Sequence, residues 1–486
     1  MKPLRWYDHL SMNLFWLGLN IRNTAVGNVF MPYLVDVYVR PEVKNSALGA
    51  MRTAGLIVAM LVQPAMGLLS DRSTSRFGRR RPYIFWGVMF DLLFLVAIGL
   101  SRSYWGLFAA VLLLQFSSNV SHGPLQGLIP DLVPENQRGI SSGIKAIFEL
   151  LPLVLIAFTI SKLVAAHEVG WAIVATAGGL LVTMLLTMVL VRERPQSEKP
   201  TTSIREPMLR VLGMLVAILA GGAAGLLVGA VVGAVVGGIT WLIAGQRLGI
   251  MVGVGLGGLV AMVVSVVSGV WGGATGALGK DARRYSSFTW WIVNRLLFLA
   301  AVTSIQGFAP YFLMSAFGLS REGAIDLNAS LMMVVGVVTM LSALPGGWLA
   351  DRFGSRRLVG LSGIIAMLGT MVLLITTFVP TIPLMYVAGS IIGLGTGLFM
   401  TTNWALGTAL APREESGRYL GISNLAGAGA GMIGAGIGGP VADLISSYQP
   451  GLGYFAIFAC YVVLFLLSTL VLVRVRPRPA QDAPRA

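Results

Sequence analysis

A charged loop motif occurs twice in the chain, each time between two long apolar runs. In GLLSDRSTSRFGRRRP, Gly67 lies four residues before Asp71, and in GGWLADRFGSRR, Gly347 lies four residues before Asp351. A second pair of segments, LVPENQRGISSG and LAPREESGRYLG, is separated by nearly the same number of residues. Two unrelated motifs that share one offset indicate a duplicated chain, so we expect two structurally equivalent halves.

The apolar runs place both halves in a bilayer. The mean hydropathy is +0.79, with 56% hydrophobic and 11% charged residues, whereas a soluble chain has about 25% charged residues. Segments without any charge, such as 169–191 and 327–350, reach the roughly 20 residues that a membrane-spanning helix needs. The sequence therefore predicts an all-α, polytopic membrane protein. Its single cysteine excludes an intrachain disulfide.

Twelve helices are predicted in two groups of six. They lie near 10–36, 46–69, 82–101, 104–128, 141–163, 169–191, 285–313, 323–345, 358–379, 384–407, 419–442 and 452–473. With this placement, most Lys and Arg residues fall on one side of the membrane. The positive-inside rule makes that side cytoplasmic, with both termini, in a cytoplasmic (inner) membrane. The net charge of +15 then reflects contact with lipid headgroups, and we expect no nucleic-acid partner.

Four segments follow from this pattern. Residues 1–195 form an N-terminal six-helix bundle, 196–284 a central loop and inserted hairpin, 285–474 a C-terminal six-helix bundle, and 475–486 a cytoplasmic tail. The insert contains two further apolar runs, which brings the total to about fourteen helices. One run has a glycine at every fourth residue from Gly221 to Gly237, a spacing that allows close helix approach. A lipid-facing hairpin without a function and a surface for self-association are the two alternatives.

The repeated motif, the six-helix halves and the loop near 130–140 resemble the major facilitator superfamily. The expanded first motif, SDRSTSRFGRRRP, resembles the sucrose-type and glycoside–pentoside–hexuronide cation symporter branch. This resemblance implies alternating access around a central site and a solute related to sugars or glycosides. It also implies a gating motif near the cytoplasmic ends of the helices, formed by Gly67, Asp71, Arg72, Arg79, Asp131, Arg138, Gly347, Asp351, Arg352, Arg356 and Arg418.

Polar residues at bilayer depth are the candidates for solute binding, because they are costly unless they face protein or water. Amide side chains share one face of the predicted first helix and one face of the fourth, and amides both donate and accept hydrogen bonds. Interhelical hydrogen bonding is the alternative role. The predicted substrate-binding residues are Asn20, Asn23, Asn28, Gln115, Asn119, His122 and Gln306. Trp291 and Trp404, near predicted helix ends, are expected to anchor the chain at the interface.

Ionisable residues in the same helices are the candidates for ion coupling, namely Glu149, Lys145, Arg22 and Asp91. Lys145 and Glu149 have the i, i+4 spacing that lets them pair on one helix. Arg22 can pair with either Asp91 or Glu149, and the sequence leaves both open. Sucrose-type transporters place an acidic coupling residue in the fourth helix. This chain has none there, so His122 or Glu149 would have to replace it.

The sequence thus predicts a secondary active transporter of a small solute, coupled to protons or sodium ions. It contains no pattern typical of an enzyme, a cofactor site or a metal site. A multidrug or lipid exporter of the same fold is one alternative. A transport-inactive sensor or assembly protein on this scaffold is another.

Overall fold

The computed structural model describes residues 4–134, 137–191, 193, 205–279, 281–410, 416–449 and 451–476. In these ranges the chain forms fourteen helices of 19 to 40 residues. They are α1 (Trp6–Ala25), α2 (Lys44–Ser70), α3 (Arg81–Gly99), α4 (Tyr104–Gln126), α5 (Arg138–Phe158), α6 (Val169–Leu190), α7 (Arg205–Ala244), α8 (Gln246–Leu278), α9 (Ser286–Phe317), α10 (Arg321–Phe353), α11 (Ser355–Thr376), α12 (Ile382–Leu410), α13 (Ser416–Tyr448) and α14 (Leu452–Val471). This all-α, fourteen-helix architecture confirms the predicted fold class.

Eleven segments within the described residues are long and apolar enough to cross a membrane. The long helices that do not meet this criterion are α1, α4 and α13. The amide stripes predicted from the sequence lie on α1 and α4, and such side chains lower the mean hydropathy of a helix. Such polar residues need protein or water around them at bilayer depth.

The helices divide into two compact units. The first comprises residues 1–212 together with 307–336, and the second comprises 213–306 together with 337–486. In the first unit, α1 packs against α5 and α6, and α4 packs against α2 and α3. Two glycines permit the α4 contacts: a Cβ at Gly87 would lie 2.8 Å from the backbone nitrogen of Ser121, and one at Gly123 would overlap the carbonyl of Gln63.

The first helix continues past α1 through a π-helical turn. Residues Val26–Phe30 form this turn, and Met31–Tyr38 extend the helix. The backbone N–H of Met31 donates to Val26 rather than Gly27, and Pro32, the next residue, has no N–H to donate. The Gly27 carbonyl instead accepts a hydrogen bond of 2.5 Å from Arg52 Nη2 on α2. The carbonyl that the π-helical turn leaves without a helical partner is thus satisfied by a half-buried arginine.

In the second unit, α11 packs against α12 and α14. A Cβ at Gly395 would lie 2.8 Å from the carbonyl oxygen of Ser362, so a glycine again permits the closest approach. This α11–α12 pair lies in the second half where the α3–α4 pair lies in the first, as expected of a duplicated chain.

The insert forms a hairpin of α7 and α8 whose glycines face each other. A Cβ at Gly233 would lie 2.6 Å from the carbonyl oxygen of Gly253, and one at Gly237 would lie 2.8 Å from that of Gly249. The predicted close approach therefore occurs inside the hairpin. Self-association through the insert stays a prediction, and it would have to use a different face of the hairpin.

The hairpin also packs against the second half of the chain. Helix α8 contacts α13 and α14, and a Cβ at Gly258 would overlap Val441. The thiol of Cys460 lies 3.7 Å from the carbonyl oxygen of Gly255. At the loop end, Arg247 donates to the carbonyl of Tyr448 at 2.9 Å. One helix of the insert is thus covered by protein on two sides, and the hairpin does not face lipid alone.

Candidate functional site

Helices α1, α4 and α5 bring four chemically active side chains together in the first unit. The Nζ atom of Lys145 lies 4.1 Å from the centre of the Trp16 ring and 3.2 Å from Glu149 Oε1. The His122 ring contacts the edge of the same indole, with ring centres 5.3 Å apart. Lys145 and Glu149 keep 30% and 37% side-chain exposure. We call Trp16, His122, Lys145 and Glu149 the central cluster.

The central cluster offers a polar solute both donors and acceptors. Lys145 offers donors and Glu149 offers acceptors, whereas the Trp16 side chain is only 2% exposed and packs against Lys145. Because ionised groups at bilayer depth must face protein or water, the partial exposure of Lys145 and Glu149 indicates that they line a polar space. The exposed part of the cluster is therefore charged, and it fits a small polar solute.

Two of the predicted amides lie beside this cluster. Asn20 donates to the carbonyl of Trp16 at 2.8 Å, and Asn119 donates to the carbonyl of Gln115 at 2.7 Å. Each donates one N–H of its NH2 group to its own helix, which leaves the second N–H and the amide oxygen for other partners. The Gln115 side chain contacts α2, where a Cβ at Gly55 would lie 3.0 Å from Gln115 Cγ.

The remaining predicted binding residues are more dispersed. Asn23 is exposed and Asn28 is half-buried in the π-helical turn. Gln306 is half-buried and belongs to the second unit. Their roles in binding stay predictions.

Arg22 pairs with Asp91, which decides between the two acids that the sequence left open. Arg22 Nη2 lies 3.4 Å from Asp91 Oδ2, and the two side chains are 2% and 0% exposed. Ser117 on α4 also donates to Asp91. The pair thus joins α1, α3 and α4 inside the bundle, away from Glu149, which pairs with Lys145. This geometry favours a structural role over ion coupling for Arg22 and Asp91.

A second ionic cluster lies where the first helix ends. Asp36 is 2.8 Å from Lys44 Nζ and 2.5 Å from Arg321 Nε, and its side chain is only 8% exposed. Lys44 also lies 4.7 Å from the centre of the Tyr311 ring, and the Tyr311 hydroxyl donates to the Pro32 carbonyl at 2.8 Å. We call Asp36, Lys44, Tyr311 and Arg321 the outer cluster.

The outer cluster explains why residues 307–336 belong to the first unit. Tyr311 and Arg321 come from this segment, and both bind groups of the first helix. A third link is Arg52, because a Cβ at Gly307 would overlap its guanidinium group. The end of α9 is thus held by the Tyr311 hydrogen bond, and the start of α10 by the ion pair of Arg321 with Asp36.

In the first copy of the loop motif, Arg80 is the central residue. Its Nη2 lies 2.8 Å from Asp71 Oδ1, and its Nε lies 2.5 Å from Asp131 Oδ2. Arg79 also pairs with Asp131. A Cβ at Gly127 would overlap the Arg80 guanidinium. The predicted acids Asp71 and Asp131 are thus brought together by Arg80, which was not among the predicted gating residues.

Glu193, which follows α6, also contacts this loop. Its carboxylate accepts a hydrogen bond of 3.0 Å from the backbone N–H of Arg80. A Cβ at Gly78 would overlap the Glu193 side chain, and Gly78 has φ of 102°, so a side chain there would be strained as well as blocked. A Cβ at the predicted Gly67 would lie 3.9 Å from the carbonyl oxygen of Gly123, an ordinary contact distance. The gating role of these residues stays a prediction.

The second copy of the motif shows fewer contacts among the described side chains. Arg352 lies 5.5 Å from the centre of the Trp348 ring, and Arg356 donates to the Val473 carbonyl at 3.5 Å. The space around Gly347 is open. Three predicted gating residues have side chains outside the described part of the structure, namely Arg138, Asp351 and Arg418.

Trp291 does not anchor the chain at the membrane interface, so that prediction was wrong. Its side chain is fully buried, and Nε1 donates to the carbonyl of Asn403 at 3.0 Å. The Asn403 side chain joins Arg295 and Asn294, at 3.0 and 2.8 Å. Trp404 is 37% exposed and contacts the Arg295 guanidinium at 5.6 Å. Trp291, Asn294 and Arg295 are therefore part of a hydrogen-bonded network between α9 and α12.

Five residues that the structure brings into these sites were not predicted from the sequence, namely Trp16, Asp36, Arg52, Arg80 and Arg321. Trp16 is four residues before Asn20 and so belongs to the same helix face, which was an available signal. Asp36 and Arg321 lie near helix ends, where charges are common, so their pairing could not be predicted.

Comparisons with known proteins agree with this architecture. The profile of the Major Facilitator Superfamily matches residues 16–305 and 295–486. A sucrose transport protein of Oryza sativa subsp. japonica is 35% identical over 136 residues, 23% of this chain and 25% of that protein. A di-/tripeptide transporter of Lactobacillus helveticus is 42% identical over 117 residues, 24% and 22% of the two chains. The chain thus covers about a quarter of the length of these relatives.

Among solved structures, a POT family transporter in complex with a thioalcohol-conjugated peptide superposes with a TM-score of 0.66. The sequence identity is 15%, and the match covers 96% of both chains. This likeness concerns the fold. Because the family profile extends over both halves of the chain, the chain belongs to the Major Facilitator Superfamily and is a multi-pass membrane protein.

Proposed function

We propose that this transporter takes up a sugar-like or glycoside-like solute across the cytoplasmic membrane, with both termini in the cytoplasm, and that a cation drives the uptake. The observation that carries this proposal is the central cluster. An indole, an imidazole, an ammonium group and a carboxylate meet in three helices, and Asn20 and Asn119 lie one helical turn from Trp16 and His122 on the same helices. Hydroxyl-rich solutes need such alternating donors and acceptors.

The 35% identity to a sucrose transport protein over a quarter of its length supports a sugar-like solute. The 42% identity to a di-/tripeptide transporter over a similar share makes a short peptide the second candidate. A peptide carries both charges at its ends, and Lys145 and Glu149 could bind one each.

Alternating access supplies the mechanism. Ion pairs lie at helix ends both in the outer cluster and where Arg80 contacts Asp71 and Asp131. Water can compete for such pairs. Because each cluster joins several helices, its opening or closing couples the local charge arrangement to helix movement. Glu149 is the proposed coupling group, since protonation of its carboxylate would weaken the hold on Lys145 and change what the cluster offers to the solute.

Uptake into proteoliposomes tests this proposal. Purified protein is supplied with labelled sucrose, a labelled phenyl glycoside or a labelled dipeptide, with and without an inward proton gradient. We expect saturable uptake of a glycoside that the gradient raises at least fivefold. Preference for the dipeptide would select the second candidate. Absence of any uptake, together with absence of a ligand-induced thermal shift, would contradict both and favour a sensor or assembly role.

Glu149→Gln separates binding from coupling. We expect the variant to lose gradient-driven accumulation but to keep exchange of solute between equal concentrations, because the glutamine mimics the protonated carboxyl. Glu168→Gln, at an exposed residue, is the matched control and should behave as the unmodified protein. Accumulation at the normal level in Glu149→Gln would remove Glu149 from coupling.

Asn119→Leu tests solute binding. It should remove the ligand-induced thermal shift without lowering expression.

A further inference from the structure

One stripe of α1 carries buried polar atoms that have no hydrogen-bond partner among the described residues. These atoms are both ring nitrogens of His9, Oδ1 of Asn13 and Nε1 of Trp16. The three side chains are 2%, 0% and 2% exposed. They are spaced by four and three residues, so they lie above one another on the same helix face.

A polar stripe of α5 faces this one. Ser141, Lys145 and Glu149 follow each other at four-residue spacing. Asn13 Nδ2 lies 3.0 Å from Ser141 Oγ, and Lys145 lies over the Trp16 ring at 4.1 Å. The orphan atoms of α1 therefore lie along an interface with polar groups on both sides, which ends at the central cluster.

Another tryptophan of this chain shows how unusual the orphan indole is. Trp291 is as deeply buried as Trp16, and its Nε1 donates to the Asn403 carbonyl at 3.0 Å. Buried polar atoms are nearly always paired, either with protein or with ordered water. Imidazole, amide oxygen and indole N–H need a donor, an acceptor or both, and a water molecule can serve each of them.

We propose that the α1–α5 interface holds a chain of bound water molecules that runs from His9 past Asn13 and Trp16 to Lys145 and Glu149, and that protons reach the central cluster along it. The seven helical steps from His9 to Trp16 correspond to about 10 Å along the helix, a length that a few waters bridge. His9 is the relay group at the far end, because imidazole accepts a proton on one nitrogen and releases one from the other.

The charged groups around this path are few. Helix α6 packs against α1 and contains no charged residue. The charged residues on the two helices that form the path are Asp8 and Arg22 on α1, and Arg138, Lys145 and Glu149 on α5. Arg22 is paired with Asp91, and the Arg138 side chain lies outside the described part. Glu149 is thus the carboxylate at the end of the path.

Radiolytic hydroxyl-radical footprinting tests for the water chain directly, because radicals formed from bound water modify the side chains next to it. We expect Trp16 to be modified at least fivefold faster than Trp291 in the intact protein, although both are buried. Asn13→Leu, which removes the central polar side chain, should lower the Trp16 rate towards that of Trp291. Equal rates for Trp16 and Trp291 in the unmodified protein would overturn the proposal.

The proton role rests on the proposed cation coupling and is tested separately. In proteoliposomes, His9→Leu should slow gradient-driven accumulation at least fivefold while solute exchange continues, with the exposed His167→Leu as control. Unchanged accumulation in His9→Leu would overturn the proton role. If the unmodified protein does not respond to a proton gradient at all, the proposed coupling fails, and the footprinting result still decides whether water is bound.

Discussion

At the scale of single residues, the most consequential contact is the pair of Arg22 and Asp91. Both side chains are buried, and the Asp91 carboxylate also accepts from Ser117. A buried ion pair gains little over apolar residues of similar size, but removal of one partner leaves an uncompensated charge that costs about 3–5 kcal/mol. A substitution of either Arg22 or Asp91 alone is therefore expected to destabilise the bundle.

We expect Asp91→Asn to lower the thermal unfolding midpoint of the purified protein strongly, because Arg22 then keeps its charge without a carboxylate. A double variant, Arg22→Leu with Asp91→Leu, should recover much of this loss. Thermal unfolding in one detergent measures both. Equal losses in the single and the double variant would show that the hydrogen bonds of these residues, rather than their charges, stabilise the bundle.

The sequence predicted residue positions better than residue partners. The i, i+4 spacing of Lys145 and Glu149 was sufficient to predict their contact, because both lie on one helix. For Arg22 the periodicity gave only the helix face, and two acids on other helices remained open. The prediction for Trp291 was wrong because a tryptophan near a helix end suits a membrane interface as well as a protein core. Its core position depends on a hydrogen bond to the Asn403 carbonyl on α12, which the sequence does not reveal.

At the scale of elements, the outer cluster connects the end of the first helix with α10 through one buried carboxylate. Asp36 lies between Lys44 and Arg321. Without this negative charge the two cations would repel each other across a short distance, and that repulsion acts directly between the helices that carry them.

Asp36→Asn should therefore separate these helix ends. We expect spin labels at the exposed Val37 and Ser320 to show a larger population at long distance by pulsed electron paramagnetic resonance. Lys44→Gln, which leaves the Asp36–Arg321 contact intact, should give a smaller change. An unaltered distance distribution in Asp36→Asn would mean that Tyr311 and Arg52 hold the segment without the ion pairs.

At the scale of the whole molecule, the duplicated motif was sufficient to predict two related halves, since one offset relates two unrelated segments. The environment of the insert could not be predicted in the same way. A glycine at every fourth residue predicts that some helix approaches closely, but not which one. In the structure that helix is the other half of the hairpin, and α13 and α14 cover α8 on a different side.

Deletion of residues 207–279 tests how much the molecule depends on this packing. We expect the shortened protein to insert and to keep part of its transport, because the remaining helices retain both halves. Its thermal stability should fall, since α13 and α14 lose the surface that α8 covers. The measurements are transport in proteoliposomes and thermal unfolding. Failure of the shortened chain to reach the membrane would show that the hairpin is an integral part of the second half.

The glycine contacts inside the hairpin have a consequence for biosynthesis. During translation α7 and α8 leave the ribosome before any helix of the second half, and their glycines let them pair with each other at once. The hairpin can therefore be complete in the membrane while α9 to α14 are still being made. We expect it to act as an early template onto which α13 and α14, among the last helices to be synthesised, assemble.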